Sequence, residues 1–123
     1  MANLRASILV ALLLFTSAAR AGDDWTPADS WREGAYLALH LTDWAQTRNI
    51  ARNPDQWRET NRLLGEHPSV GRVNRYFVIT AAAQIGIAVA LSKGWRAAFQ
   101  YGAIAHDAWY VTHNFSIGIS ARF

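Results

Sequence analysis

The chain has 123 residues, which is enough for one domain with a modest core. It contains no cysteine, and this excludes disulfides, thiolate metal sites and a lipoprotein anchor. Twelve Lys and Arg residues against nine Asp and Glu give a formal net charge of +3.

Residues 1–21 have the three-part organisation of a secretory signal peptide. One positive charge at Arg5 precedes an apolar run over residues 6–15, and residues 19–21 form a small-x-small cleavage site. We therefore predict a signal peptide over 1–21 and a single helical membrane domain over 22–123, with an uncleaved anchor as the alternative. Cleavage lowers the number of Lys and Arg residues from twelve to ten against nine Asp and Glu. The exported chain is then close to neutral, and we expect no nucleic-acid partner.

The first predicted helix begins at Pro27. Thr26 is a suitable N-cap, proline fits the first helical position, and Asp29 places a carboxylate in the first turn. We expect this helix to end near Ile50. Its middle, residues 34–47, measures only about 20 Å, which is short of a hydrocarbon core of ~30 Å. The middle is apolar apart from a few side chains, namely His40, Asp43 and Gln46.

A second helix start is predicted at Pro54, and Gly65 supplies the stop. We expect residues 54–64 to form a short amphipathic helix. This region carries the densest polar patch outside the apolar segments, with three candidate site residues, Glu59, Asn61 and His67. The favoured interpretation is a surface ion-pair network with the neighbouring arginines Arg58, Arg62, Arg72 and Arg75. Alternatively, Glu59 is a general base, or the arginines bind anionic lipid headgroups.

Residues 76–92 are the most hydrophobic stretch after the signal, and Gln84 is their only strongly polar side chain. They are the best candidate for a transmembrane helix, with a buried core helix of a soluble domain as the alternative. Residues 95–112 are rich in alanine and aromatic residues and carry Gln100, His106 and Asp107. This third helix can pair with the second as an antiparallel hairpin through residues 92–94.

The predicted fold is all-α, a small bundle of about three apolar helices plus one short amphipathic helix. Residues 115–123 alternate apolar with small or polar side chains at period two, so the C-terminal tail can be extended. The alternation is similar to the last strand of an outer-membrane β-barrel, which stays an alternative. Alanine-rich segments with helix caps make poor strands and favour the bundle.

The basic residues predict an orientation in a membrane. Those between the first and second apolar segments are Arg48, Arg52, Arg58, Arg62, Arg72 and Arg75. Only Lys93 and Arg96 lie between the second and third segments. If the N-terminus is exported, the positive-inside rule places the arginine-rich loop in the cytoplasm. We therefore expect the bacterial inner membrane as the location, with the periplasm or the outer membrane as alternatives.

Polar side chains inside the apolar segments are candidate functional residues, because an ionisable group is costly in lipid and should face protein or water. This set is His40, Asp43, Gln46, Gln84, His106 and Asp107. His40 and Asp43 share one helical face and form either a ligand or proton-handling pair or a structural contact. In the favoured structural interpretation, Asp43 pairs with Arg48 or a loop arginine. The spacing of the histidines matches no metal-site pattern, so we predict no metal and no cofactor.

Part of the chain also resembles a known pattern. Residues 43–47 read DWAQT, residues 59–65 read ETNRLLG and residues 67–69 read HPS. Together they resemble an uncharacterised family of short membrane proteins from phages and proteobacteria, and the resemblance covers nearly the whole exported chain. The resemblance implies a membrane protein and brings no known activity.

We therefore expect a small integral membrane protein without enzymatic activity. Its intramembrane polar residues would fix helix packing or contact a partner, which is another membrane protein or a second copy, within the lipid membrane. A phage holin-like protein that permeabilises membranes is one alternative. The other is a membrane-embedded enzyme, which requires four side chains to converge, namely His40, Asp43, Glu59 and His106.

Overall fold

The computed structural model describes residues 24–123 of the chain, and the predicted signal peptide lies outside these residues. The helices are α1 (Pro27–Arg52), α2 (Val70–Ala90) and α3 (Lys93–Ser116). Between residues 24 and 123 there is no strand. This part of the chain is therefore all-α, as predicted, and the barrel alternative is wrong for it.

α1 begins where its capping residues predict. The Thr26 hydroxyl accepts the backbone N–H of Asp29 at 3.3 Å, and the Asp29 carboxylate accepts the backbone N–H of Thr26 at 2.8 Å. These bonds satisfy donors that the first turn of a helix leaves without partners. α2 begins similarly, because the Ser69 hydroxyl accepts the N–H of Arg72 at 3.1 Å. The predicted start at Pro27 is confirmed.

The connecting loop between α1 and α2, residues 53–69, consists of turns, so the predicted amphipathic helix over residues 54–64 is wrong. The side-chain oxygen of Asn61 accepts the N–H of Leu63 at 3.0 Å, which closes a turn in competition with helical hydrogen bonds. The backbone oxygen of Asn61 also accepts the N–H of Gly65 at 3.1 Å. Gly65 has a φ of +81°, a conformation that ends the turn and favours glycine.

Among the described residues, α2 is the one helix long and apolar enough to cross a membrane by length and composition. The prediction of about three apolar helices is therefore wrong in this respect. The reason lies in the polar side chains of the other two helices, which interrupt each apolar stretch about once per turn or two; examples are Glu33, Asp43, Gln46, Gln100 and Asp107.

The interior of the bundle is polar. α1 packs most extensively against α3, less against α2, and α2 and α3 touch least. The buried side chains between α1 and α3 are mostly hydrophilic and include Asp29, Glu33, His40, Gln46, Arg96, Gln100, Asp107 and Asn114. The apolar core cluster is small, and it joins Leu64 of the connecting loop to Val73 and Phe77 of α2.

The exteriors of α1 and α2 are apolar over their middle residues, whereas α3 also exposes His106. In residues 34–47 of α1, every exposed side chain is glycine, alanine or leucine. In residues 76–90 of α2, the exposed positions are Ile79, Ala83, Ile87 and Ala90. Only 28% of the most apolar window of α2 is buried in the bundle. The interior and exterior therefore reverse the usual distribution of a water-soluble domain.

The C-terminal tail turns back onto α1 after α3 ends. Gly118 has a φ of +93°, and the N–H of the buried Ile119 donates to the Asn114 oxygen at 2.9 Å. The side chain of Asn49 then holds the tail by donating to the Ser120 oxygen at 3.1 Å. Residues 117–123 are neither helix nor strand, and Ile119 is the one buried residue among them, so the alternation at period two is not matched by alternating burial.

Candidate functional site

Hydrogen-bonded layers join α1 to α3 at a nearly constant offset along the chain. The partners Asp29 and Arg96 are 67 positions apart, as are His40 and Asp107, while Gln46 and Asn114 are 68 apart. A constant positive offset means that the two helices run parallel and in register. In α1 the buried positions 29, 33, 36 and 40 alternate in steps of four and three, which is the spacing of a helix–helix seam.

The first layer centres on Arg96, whose side chain is fully buried. Its guanidinium donates to the Asp29 carboxylate of α1 at 3.1 Å. It also donates to the carbonyls of Ala88 (2.7 Å) and Leu91 (3.0 Å) at the end of α2. The last carbonyls of a helix have no partner within the helix, so Arg96 caps α2 while it pairs with α1. One α3 side chain thus fixes three helix ends.

The second layer contains the buried carboxylate of Glu33. Gln100 donates to it at 2.8 Å and also accepts a hydrogen bond from Arg32 at 2.8 Å. Gln84 of α2 approaches Glu33 from the other side. The second carboxylate oxygen of Glu33 and the amide nitrogen of Gln84 are both buried without a hydrogen-bond partner among the described residues. Gln84 therefore faces Glu33, a buried acidic residue that was not among the predicted candidates.

The third layer is built around His40. Its Nδ1 lies 2.8 Å from Asp107 of α3, and its Nε2 lies 3.0 Å from the Thr80 hydroxyl of α2. The ring stacks on Tyr36 with centroids 5.0 Å apart and meets Phe77 at 4.8 Å. His40 is thus bonded to both neighbouring helices and enclosed by aromatic rings, which fixes its orientation.

A pocket of about 480 Å³ lies beside this third layer, between the three helices and the connecting loop. The four side chains that a catalytic site would require, His40, Asp43, Glu59 and His106, all line it. Two further candidates, Asp107 and Asn61, belong to the same wall. The remaining candidates lie elsewhere: Gln46 and Gln84 are buried in the bundle, and His67 is exposed on the loop. Most of the predicted candidates therefore converge.

Asp43 faces this pocket, and no arginine between residues 24 and 123 forms an ion pair with it. Its carboxylate lies 3.5 Å from the Thr47 hydroxyl and 3.5 Å from the Asn114 amide nitrogen. Arg48 instead places its guanidinium over the Trp44 ring, 4.5 Å from the ring centroid. The expected ion pair between Asp43 and Arg48 is therefore wrong.

Glu59 is held in the pocket wall by the backbone of the connecting loop. The N–H of Asn61 donates to its carboxylate at 2.8 Å. Burial raises the pKa of Glu59, while hydrogen bonds from the amides of Asn61 and Thr60 lower it in part. Of the arginines expected to form a surface ion-pair network, Arg58 makes an exposed contact of 4.0 Å with Glu66. The Glu59 carboxylate thus faces the pocket and does not belong to the expected surface network of ion pairs with the arginines.

Asp107 connects two histidines. One carboxylate oxygen bonds His40, and the other lies 3.0 Å from Nδ1 of His106. The side chain of His106 is 67% exposed and packs against the Tyr110 ring, 4.9 Å between centroids. The Asp107 carboxylate therefore orients one ring nitrogen of each histidine. Within residues 24–123, no group of three or more acidic or histidine side chains is placed to hold a metal ion.

Over residues 24–123, the fold and site define an all-α bundle of three helices with a polar interior and a pocket of mixed acidic, basic and aromatic lining. No family model, curated protein or solved structure matches the chain.

Proposed function

We propose that this protein is a small integral membrane protein whose polar interior fixes the packing of its helices and whose pocket serves interaction and not catalysis. The single observation that carries the proposal is the reversed polarity of the bundle. The polar and charged side chains, whose transfer into lipid costs the most free energy, are paired inside the bundle. Membrane bundles have this arrangement, because contact between apolar surfaces alone does not drive helices to associate in lipid.

The lipid-facing stretches in this proposal are residues 34–47, 76–91 and 97–112. Exposed tryptophans lie near both limits of these stretches: Trp31 and Trp95 at one end of the bundle, and Trp109 at the other. Trp95 and Trp109 are separated by about 21 Å along α3. Tryptophan concentrates at the two interfaces of a bilayer, so this placement supports a short crossing.

The proposed orientation follows the arginines. The connecting loop and the helix ends beside it carry most of the basic side chains, and the positive-inside rule assigns that end to the cytoplasm. With the N-terminus exported, the α2–α3 turn at Ser92 would lie outside the inner membrane. As part of the same proposal, the protein has a phage origin and contacts a partner protein in the membrane.

The cysteine-free chain permits a direct topology test. Gln56→Cys in the connecting loop and Ser92→Cys in the α2–α3 turn both change exposed side chains. In intact spheroplasts, we expect a membrane-impermeant thiol reagent to label Ser92→Cys and to label Gln56→Cys only after permeabilisation. Release of the protein from membranes by alkaline washing would refute membrane integration. Rapid lysis on expression would favour the holin-like alternative instead.

A second candidate function is acid–base catalysis, which the convergence of His40, Asp43, Glu59 and His106 in one pocket favours. The test is hydrolysis of a panel of ester and phosphoester substrates by the purified protein. Turnover that disappears in His106→Ala, while the variant inserts and melts like the wild type, would establish catalysis. An inactive wild-type protein across the panel supports the interaction proposal.

A further inference from the structure

The interior of the pocket is acidic. Asp43 from α1 and Glu59 from the connecting loop both line it, and they are close enough to interact electrostatically. Their hydrogen bonds come from neutral groups, the Asn114 amide for Asp43 and the Asn61 backbone for Glu59. Aromatic rings complete the wall, namely Tyr76, Phe77 and Tyr110. Carboxylates beside aromatic faces bind organic ammonium groups.

The mouth of the pocket, taken as its exposed residues on the connecting loop, carries two arginines. Arg58 and Arg62 flank Glu59 in the chain, and both line the pocket and an adjoining depression in the connecting loop. Both side chains are exposed. A ligand that carried only positive charge would be repelled at this mouth, whereas an anionic group beside the ammonium would meet two guanidiniums.

We infer that the pocket binds a zwitterionic head group that joins a primary ammonium to a phosphate, the chemistry of phosphatidylethanolamine. The ammonium lies between Asp43 and Glu59, and the phosphate lies at Arg58 and Arg62. The ligand source is the membrane in this inference, which therefore rests on the proposed function. Leu63 and Ile117 line the pocket and are 71% and 48% exposed, so they offer apolar contacts beside the head group.

The test uses the full-length protein in a nonionic detergent, titrated with short-chain phosphatidylethanolamine and short-chain phosphatidylglycerol. We expect the first lipid to bind at least about tenfold more tightly, because only it brings a charge-assisted hydrogen bond to the carboxylates. Glu59→Gln preserves the size of the side chain and should remove this preference, and Asp43→Asn should do the same. Arg62→Ala should weaken both lipids, because both carry the phosphate.

Matched controls lie in the same part of the chain. Asp55→Asn and Arg52→Ala change exposed residues that do not line the pocket, and each should leave both affinities unchanged. Equal affinity for the two lipids, or an unchanged preference in Glu59→Gln, overturns the inference. Glu59 lies on the loop outside the helices, so this variant remains informative even if Asp43→Asn fails to fold.

A titration with free phosphoethanolamine tests whether the ligand must come from the membrane, and it tests this separately from the head-group chemistry. Weak binding of the free compound beside tight binding of the lipid supports the membrane source. Equal binding of the two overturns the membrane source and supports the head-group chemistry. Because this titration needs no bilayer, a protein that binds phosphoethanolamine yet washes off membranes would refute the proposed function and leave the head-group assignment intact.

Discussion

Arg96 should be one of the most sensitive positions in the bundle. Its guanidinium and the Asp29 carboxylate are both fully buried and lie 3.1 Å apart. Removing one partner of a buried ion pair costs about 3–5 kcal/mol, because the other charge stays buried. Asp29 keeps a second contact with Arg32, so the lower end applies, and we expect Arg96→Met to lose about 3 kcal/mol of unfolding free energy.

The assay is thermal unfolding in a nonionic detergent, followed by circular dichroism at the helical band. A loss of about 3 kcal/mol corresponds to a fall in Tm of at least ~12 °C in a domain of this size. Arg75→Met changes an exposed arginine on α2 and should stay within about 0.5 kcal/mol of the wild type. The double variant Arg96→Met with Asp29→Asn should regain part of the loss, because neither charge of this pair is then left buried without the other. A Tm for Arg96→Met equal to that of Arg75→Met would refute the assignment of this pair as a clamp.

Further predictions concern the apolar core cluster and the charge of Asp29. Phe77→Ala empties the apolar core cluster and should cost about 3–5 kcal/mol in the same melting assay, whereas Ile79→Ala on the exposed side of α2 should cost under ~1 kcal/mol. Burial raises the pKa of Asp29, but hydrogen bonds from Thr26, Arg96 and Arg32 outweigh it and lower the pKa to about 2 from 3.8. Asp29 therefore stabilises the fold above pH ~4, and this contribution should vanish as the pH falls towards 2. Melting from pH 5 to 2 should destabilise the wild type more than Asp29→Asn, and parallel curves would contradict the pairing.

Helix starts could be predicted from the sequence because capping is local. Thr26 and Asp29 exchange hydrogen bonds within one turn, and no distant residue is needed to recognise the pattern. The connecting loop could not be predicted in this way. Pro54 and Gly65 suggest a helix between them, yet one side-chain bond from Asn61 stabilises a turn instead. Whether a helix or a side-chain turn forms here depends on three-dimensional geometry, which cannot be read from the residue types alone.

The polar positions of the site could be predicted, but their partners could not. His40 and Asp107 are conspicuous because each interrupts an apolar stretch, while the bond between them depends on the register of α1 against α3. The sequence predicts no site role for Arg96 and Gln100. Arg96, Gln100 and Asp107 follow one another at spacings of four and seven positions, which repeat the steps of α1 and indicate a second seam.

The polar layers also explain why one register is selected. Apolar faces alone allow parallel helices to slide by whole heptads at little cost. A slip of seven positions in one direction would place Glu33 opposite Asp107, bringing two buried carboxylates together, and would leave Asp29 opposite Ala103. A slip in the other direction would set Arg96 against Tyr36 and separate it from its carboxylate. Each slip leaves a charge buried in the interior without its partner. The pairs therefore specify the alignment that also places His40 and Asp43 at the pocket.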